Sequence, residues 1–386
     1  MARSFSVGID IGTAHTRCVV LSNSTNGEPE VLAAVSVPTR GMRHGYIVNL
    51  PEITQTLQQV KQLTEREAGI SIRKAVFSIG GVSLLAEVTQ GGAIIAKADG
   101  EIMPFDVKTA LSSAEEAINT KNRDIIHRTI IGWKLDGKEI PGKPEGMNGI
   151  KLEVRVLYVT CLSQHLADIL AAAAEAGIEV IDIIPSSIAG SAVTLSDRQK
   201  AVGVLLVNIG AETVSVSVFE NSTLIGLSVL PIGSTDITND IALGFRIPLE
   251  EAEGIKTGTI TSTAYPRRKV DEIIEARLSD IFELIDGYLK KIKRSGLLPA
   301  GIVLSGGGSG NSLVESLAKE MLRLPARLAV GEYIPQSHPT ARDASWFVAY
   351  GLARLAQTGN IEGRAREGTG ARAKGFIKEF LRQFLP

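Results

Sequence analysis

A chain of 386 residues, 44% hydrophobic and 22% charged, is long enough for two or three domains with real cores and has the balance of an ordinary globular protein. Its formal net charge of −1 and the lack of any basic, aromatic-interleaved cluster argue against nucleic acid as a partner. Cys18 and Cys161 stand far apart in apolar, strand-like surroundings, so they read as small buried hydrophobes of a reducing compartment. No stretch approaches about 18 uninterrupted apolar residues, so no membrane-spanning helix is expected. Strand character within a few residues of Met1 argues against a secretory leader, and a cytoplasmic protein is expected.

Residues 7–16 read Val-Gly-Ile-Asp-Ile-Gly-Thr-Ala-His-Thr, an apolar run that ends in an acid, a glycine and small hydroxyl residues before Cys18-Val-Val-Leu21 resumes the strand. This is a β-hairpin whose tip brings backbone N–H groups, the Thr13 hydroxyl and the Asp10 carboxylate to one point. Such a tip suits phosphate oxygens and a divalent cation held by Asp10, directly or through water. It is neither a Rossmann turn nor a Walker loop, because a strand follows the glycine where those motifs need a helix. A tight hairpin with no ligand is the plain alternative.

Next come a strand over 31–37 and an amphipathic helix over 49–68, with Ile53, Leu57, Val60 and Leu63 on one face. A short strand over 75–80 ends in Gly80-Gly81. Residues 82–161 alternate short strands with one helix, 104–121, and a turn-rich stretch through Pro141, Pro144 and Gly146 to Gly149. They form a small α/β insertion with its own core. An Ala-rich helix over 164–177, stopped by Gly177, then a strand over 178–184 and a helix over 186–195 return to the main body.

Residues 202–219 repeat the opening pattern. Leu205-Leu-Val-Asn208-Ile-Gly210-Ala211-Glu212-Thr213 precedes alternating Val214, Val216 and Val218, with Asn208 where Asp10 stood. A hairpin repeated at this distance indicates two halves of similar design facing each other. Pro231-Ile-Gly233 leads to a helix carrying Ile237, Ile241 and Leu243, and a short helix over 249–256 sets Glu253 and Lys256 on one face. A long helix over 267–295 buries Val270, Ile273, Ile274, Leu278, Ile281, Ile285, Leu289 and Ile292. The strand at 302–304 runs into Ser305-Gly306-Gly307-Gly308-Ser309-Gly310, and a helix starts near Ser312 with a capping box completed by Glu315. Strand, glycine turn and helix start make a second anion-binding device. A helix over 345–356 closes the body.

Residues 357–374 lose apolar periodicity and are built largely of Gly, Arg, Glu, Thr and Ala, the composition of a flexible linker. The end, 375–386, places Phe376, Ile377, Phe380, Leu381, Phe384 and Leu385 on one helical stripe, with Lys374, Lys378 and Arg382 opposite. A basic amphipathic helix on a tether is a membrane-surface anchor pattern, and a helix docked on its own body is the alternative. Six large side chains at about 1.5–3 kcal/mol each bound the gain from above, so one anchor binds reversibly and several on one assembly bind firmly.

Two phosphate hairpins, a triple-glycine turn and a Glu-x-x-Lys helix between them resemble the actin/Hsp70 ATP-binding superfamily. Within it the chain resembles the FtsA family of bacterial cell-division proteins over nearly its whole length. The resemblance is carried by Gly100-Glu-Ile102 with Asp106-Val107, Pro144-Glu-Gly-Met147-Asn-Gly149-Ile-Lys-Leu152-Glu-Val154 with Val159-Thr160, Pro231-Ile-Gly233, Thr238-Asn-Asp240-Ile, Ala252-Glu253-Gly-Ile-Lys256, the linker and the terminal helix.

The resemblance implies a two-lobed actin-like, ribonuclease H-like duplicated α/β fold with ATP and Mg²⁺ in the cleft. The first lobe would comprise 1–81 and 163–197, with an inserted subdomain at 82–162 replacing one actin subdomain. The second would comprise 198–229 and 299–356 with a subdomain at 230–298, followed by the linker at 357–374 and the anchor at 375–386. Gly12, Thr13 and His15 would meet the first phosphate site with Asp10 near Mg²⁺, and Asn208, Gly210, Ala211, Glu212 and Thr213 would form the second. Gly233 would follow, Glu253 and Lys256 would approach ribose and base, and Gly306, Gly307 and Gly308 the adenosine. Asn208 replaces the superfamily's usual aspartate; an amide cannot act as a base, so hydrolysis is expected to be slow at most. The family polymerises, tethers the FtsZ ring by its C-terminal tail to the cytoplasmic face of the membrane at the division site, and recruits later division proteins. An actin-like, PilM-like component of the type IV pilus assembly platform is the alternative. A sugar kinase or Hsp70-type ATPase is disfavoured by Asn208 and by the lack of a substrate-binding domain.

Overall fold

The computed structural model describes residues 5–22, 29–262, 264–335 and 338–357. The opening hairpin forms where its alternation predicts. Strands β1 (Phe5–Ile11) and β2 (His15–Ser22) pair antiparallel from Phe5↔Ser22 to Ile11↔Thr16, and β3 (Glu30–Pro38) extends the meander. A two-stranded turn that the periodicity does not reveal follows, β4 (Met42–Arg43) with β5 (Tyr46–Ile47). Helix α1 (Leu50–Ala68) starts at Asn49, whose side chain accepts the Glu52 N–H, and stops at Gly69 in the left-handed region, φ 65°. Its predicted stripe is seated on the core: Ile53, Leu57 and Val60 are fully buried, and Leu63 is half-buried. Strand β6 (Lys74–Ile79) lies parallel to β1 and so brings Gly80 and Gly81 to the hairpin's end of the sheet.

The insertion is a four-stranded sheet under one helix. It contains β7 (Leu85–Ile94), α2 (Pro104–Glu116), β8 (Arg123–Leu135), β9 (Lys138–Ile140) and β10 (Lys151–Leu162), ordered β7-β10-β8-β9. The expectation of short strands is wrong here: β8 has 13 residues and β10 has 12, paired along their length with two register shifts. The insertion has its own core, with Val107, Leu111, Trp133, Leu152, Val154 and Tyr158 buried together. Helix α2 rests directly on the backbone of β7 at Gly91, where a Cβ would come within 2.2 Å of the Ala110 carbonyl. The two stretches around Gly100 and Gly149 zip together through Gly149 N–H to Gly100 O at 3.0 Å and Ile102 N–H to Met147 O at 2.8 Å.

The chain then returns through α3 (Ser163–Glu175) and β11 (Glu179–Pro185), completing a sheet of order β11-β6-β1-β2-β3. After α4 (Ser186–Thr194) and α5 (Asp197–Val202), the second lobe opens with β12 (Val204–Ile209), β13 (Val214–Glu220) and β14 (Thr223–Leu230). Helices α6 (Ser234–Phe245), α7 (Leu249–Thr257) and α8 (Arg267–Lys291) follow. Then come β15 (Ile302–Ser305), a 3₁₀ turn over Gly307–Gly310, α9 (Leu313–Leu322), β16 (Ala326–Leu328) and α10 (Phe347–Gln357). The second sheet runs β14-β13-β12-β15-β16, strand for strand the plan of the first: a three-stranded meander and then two parallel strands. The duplication expected from the repeated hairpin therefore extends to whole sheets. Alternation along β12 sends Leu205, Val207 and Ile209 into the core under α6 and α8, and Val204 and Leu206 into the core shared with the first lobe.

Three local expectations fail. Ser312 has helical backbone and makes no cap bond; Asn311 Oδ1 instead accepts the Leu313 N–H at 2.9 Å, so the cap lies one residue earlier than the capping box requires. Leu243 is 77% exposed, because it sits off the face that buries Ile237 and Ile241. Helix α8 ends at Lys291, short of Ser295, and Ile273 and Ile292 are only partly buried.

Helix α10 is seated on two glycines. A Cβ at Gly8 would lie 2.5 Å from the Ala349 carbonyl, and one at Gly351 would lie 1.8 Å from that of Ala189 on α4. Both cysteines are free and buried, as expected, and burial pushes each thiol up to about 12. Among the described residues no helix is long and apolar enough to cross a membrane. The anchor residues Phe376, Ile377, Lys378, Phe380, Leu381, Arg382, Phe384 and Leu385 lie outside the described residues.

Candidate functional site

The two hairpin tips are copies of one turn. Gly12 donates its N–H to the His15 carbonyl at 3.1 Å and Gly210 donates to that of Thr213 at 2.9 Å. A Cβ at either glycine would stand 2.8 Å from that same carbonyl, so each tip requires glycine there. Both tips open on one cleft of about 420 Å³, within the usual range for a small-molecule or cofactor site.

Asp10 lies at the end of β1, 8% exposed, and accepts the Ser78 hydroxyl at 2.7 Å; Ser78 Oγ in turn accepts the Ile11 N–H at 3.0 Å. Burial raises the Asp10 pKa above the ordinary carboxylate value, opposed by the Ser78 bond and by Arg17. Arg17 faces Asp10 across the hairpin register and stacks over Trp346, 5.6 Å from the ring centroid. Its Nε is buried with no hydrogen-bond partner and its side chain lines the cleft, so a donor is free there for an anion. His15 is held below the ordinary histidine value by burial and by Arg17, so it is neutral near pH 7.

On the opposite wall Asn208, next to last in β12, pairs with Ser305, and the glycine turn folds over it. Gly306 has φ 87°, and a Cβ there would stand 2.2 Å from Asn208 Oδ1 and 2.4 Å from the Ile209 carbonyl. Gly308 is tight as well, 2.5 Å from Ile209 Cγ2, whereas a Cβ at Gly307 would make only an ordinary contact with Ser345 at 3.8 Å. The floor is tied to the second tip by the start of α6, where Ser234 and Thr235 donate to the Gly210 and Ala211 carbonyls at 2.9 and 2.8 Å. Lys256 pairs with Glu253 at 2.7 Å and donates to Thr238 Oγ1 and the Ser234 carbonyl.

Of the fifteen residues expected at the site, Asp10, Gly12, Thr13, His15, Asn208, Gly210, Ala211, Thr213, Glu253, Lys256, Gly306, Gly307 and Gly308 line this cleft. Glu212 does not: its carboxylate turns away to accept the His44 N–H at 2.5 Å. Gly233 does not either; it packs beneath the tip, where a Cβ would lie 2.3 Å from the Ala211 carbonyl. Sequence reasoning missed Ser78, Arg17, Asp343 and Ser345, all at the cleft. Arg17 had a weak signal, a lone cation inside an apolar strand; the others come from elements that carry no motif. Among the described residues no cluster of three or more His, Cys, Asp or Glu could hold a metal by itself. Backbone donors, a free arginine N–H, one buried carboxylate and a glycine cradle together suit a polyanion with an accompanying cation.

Two family models match this chain: cell division protein FtsA over residues 205–351, and the SHS2 domain inserted in FtsA over 85–160. The cell division protein FtsA of Pseudomonas aeruginosa is 29% identical over 367 residues, 90% of this chain and 88% of the relative. That of Bacillus subtilis is 29% identical over 380 residues, 93% and 85%. Among solved structures, a chain of the PilM–PilN type IV pilus biogenesis complex superposes with a TM-score of 0.71 at 20% identity, covering 92% of this chain and 99% of the other, a likeness of fold. The SHS2 match coincides with the β7–β10 sheet and the FtsA match with the second lobe. Fold, insertion and sequence relatives agree: the chain belongs to the FtsA family of actin-like, ATP-binding cell-division proteins.

Proposed function

We propose that this chain is a polymerising adaptor that binds Mg-ATP in the cleft between its lobes, tethers the FtsZ ring to the cytoplasmic face of the membrane at the division site, and recruits later division proteins. The observation that carries the reading is the pair of identical glycine turns, Gly12 and Gly210, facing one cleft beneath the Gly306 cradle. The residues fit the nucleotide. Tip N–H groups, Thr13 and Arg17 would take phosphate oxygens, Asp10 would hold Mg²⁺ through water, and Gly306 to Gly308 would receive the adenosine. Glu253 and Lys256 would border the ribose and base. The Mg-nucleotide supplies charge that holds the two walls together. Asn208 offers no base, which supports ATP as a closing ligand and at most a slow ATPase.

The membrane part rests on the stripe Phe376, Ile377, Phe380, Leu381, Phe384 and Leu385 with Lys378 and Arg382 opposite, and the partners would be anionic inner-membrane lipids, the FtsZ C-terminal tail and further copies of this chain. A pilus-platform role has only the shared fold behind it. The test is a pull-down of the full chain with an FtsZ-tail peptide beside a pilus-partner peptide, with sedimentation on anionic liposomes. Capture by the first peptide alone, and loss of sedimentation on deleting 375–386 with nucleotide binding intact, are expected. Capture by the pilus peptide, or unchanged sedimentation, would overturn the reading.

A further inference from the structure

The β4–β5 turn crosses from one lobe to the other. His44 and Gly45 both have positive φ, 47° and 79°, which makes the two-residue loop a rigid type I′ hairpin. Gly45 packs backbone to backbone on Gly81, where a Cβ would fall 2.4 Å from the Gly81 Cα, so the turn is fixed to the end of β6 in the first lobe. From there His44 reaches the second lobe. Its N–H donates to Glu212 Oε2 at 2.5 Å, and its Nδ1 lies 3.3 Å from the Glu212 carbonyl.

Glu212 sits at the tip of the second hairpin, between cleft residues Ala211 and Thr213. Its counterpart in the first hairpin is Ala14, which shows that the turn itself does not call for an acid. Behind the turn, His165 of α3 bonds Ser83 Oγ at 2.7 Å, with the Tyr46 ring 4.9 Å away. Arg123, the first residue of β8 in the insertion, donates to the Ser83 carbonyl and to Thr160 Oγ1. One connected set of contacts thus runs from the second hairpin tip to the root of the insertion.

We propose that the β4–β5 turn is an inter-lobe clasp: His44 on Glu212 holds the cleft closed, and Tyr46, His165, Ser83 and Arg123 pass that closure to the base of the inserted subdomain. The part that concerns release from the cleft rests on the nucleotide reading above; the clasp itself does not. Opening the lobes must break a charge-assisted bond, so whatever occupies the cleft leaves slowly while the bond stands.

The test uses the full chain with Glu212→Ala and Glu212→Gln. Without nucleotide, amide exchange over 42–47 is expected to rise about tenfold or more in Glu212→Ala and less in Glu212→Gln, which keeps an acceptor. Release of a fluorescent ATP analogue is expected to quicken in the same order. Exchange over 121–127 at the insertion root is expected to rise with it. Unchanged exchange over 42–47 would overturn the clasp, and unchanged exchange at the root would overturn its link to the insertion. Slower release in both variants would mean that Glu212 merely repels the ligand, and would also overturn the proposal. If the unsubstituted chain binds no nucleotide, the cleft reading fails alone, because the exchange measurement contains none.

Discussion

Gly12 and Gly210 close the same turn with the same hydrogen bond, yet the residues two positions before them differ in charge, Asp10 in one lobe and Asn208 in the other. The first wall buries a carboxylate against Ser78 and Arg17; the second holds a half-buried amide under Gly306. Duplication has preserved the geometry of the tips and let their chemistry diverge. A pair of identical backbone turns is enough to clamp an anion, whereas cleaving one needs a base at a stated place. On the proposed reading, both tips would share in holding the phosphates, and the metal would fall to the first wall, where the carboxylate stands.

The comparison breaks most completely at the cradle. Gly306→Ala forces a Cβ into Asn208 and a left-handed backbone, and is expected to weaken ATP binding at least 100-fold in a titration, whereas Gly307→Ala changes it less than threefold. Equal losses at both positions would show that backbone approach is not what the turn provides.

Asp10→Asn should act with opposite signs on binding and stability. Mg²⁺-dependent affinity falls about 10–100-fold. The ligand-free protein gains stability at neutral pH, about 2–4 °C in Tm. The sign follows from the raised pKa of Asp10: stability tied to its proton is full below the ordinary carboxylate value and is lost as pH rises through the elevated one. A neutral side chain at that position removes the loss. A lower Tm for the variant would contradict burial as the dominant influence.

Asn208→Asp restores symmetry of charge. It is expected to raise steady-state ATP turnover about tenfold and to lower Tm slightly by placing a second carboxylate in the cleft. An unchanged rate would mean that the base is missing for reasons other than this residue. The smallest effect is expected at His15, whose counterpart is Thr213. Because His15 is neutral near pH 7, His15→Gln should leave affinity within threefold between pH 7 and 8, measured by the same titration.

The repeated hairpin was legible because its glycine, its acid or amide and its flanking alternation recur together, and from it the duplicated sheets could be anticipated. Ser78 was not legible: it reaches Asp10 only because β6 lies parallel to β1, a pairing that no local pattern encodes. Glu212 and Gly233 were placed in the cleft by their position in a motif. The structure turns one toward His44 and uses the other to let α6 approach the tip. The cap at Asn311 escapes the pattern because only Ser312 has a glutamate three residues on, Asn311 being followed there by Val314, while the helical backbone of Ser312 takes it out of the cap position.

Helix α10 has a mechanical consequence. Its last residue, Gln357, donates its side-chain amide to the Ser22 carbonyl at the end of β2, so the chain leaves the first lobe beside that strand. Any pull applied beyond residue 357 enters the molecule along α10. That helix is interlocked with β1 at Gly8 and with α4 at Gly351, contacts without side chains to yield. The load is therefore delivered in shear to β1, the strand that carries Asp10 near its end. If the proposed membrane leash is under tension, the first wall of the cleft would feel it before the second lobe, which it would reach through the shared core and the His44–Glu212 contact.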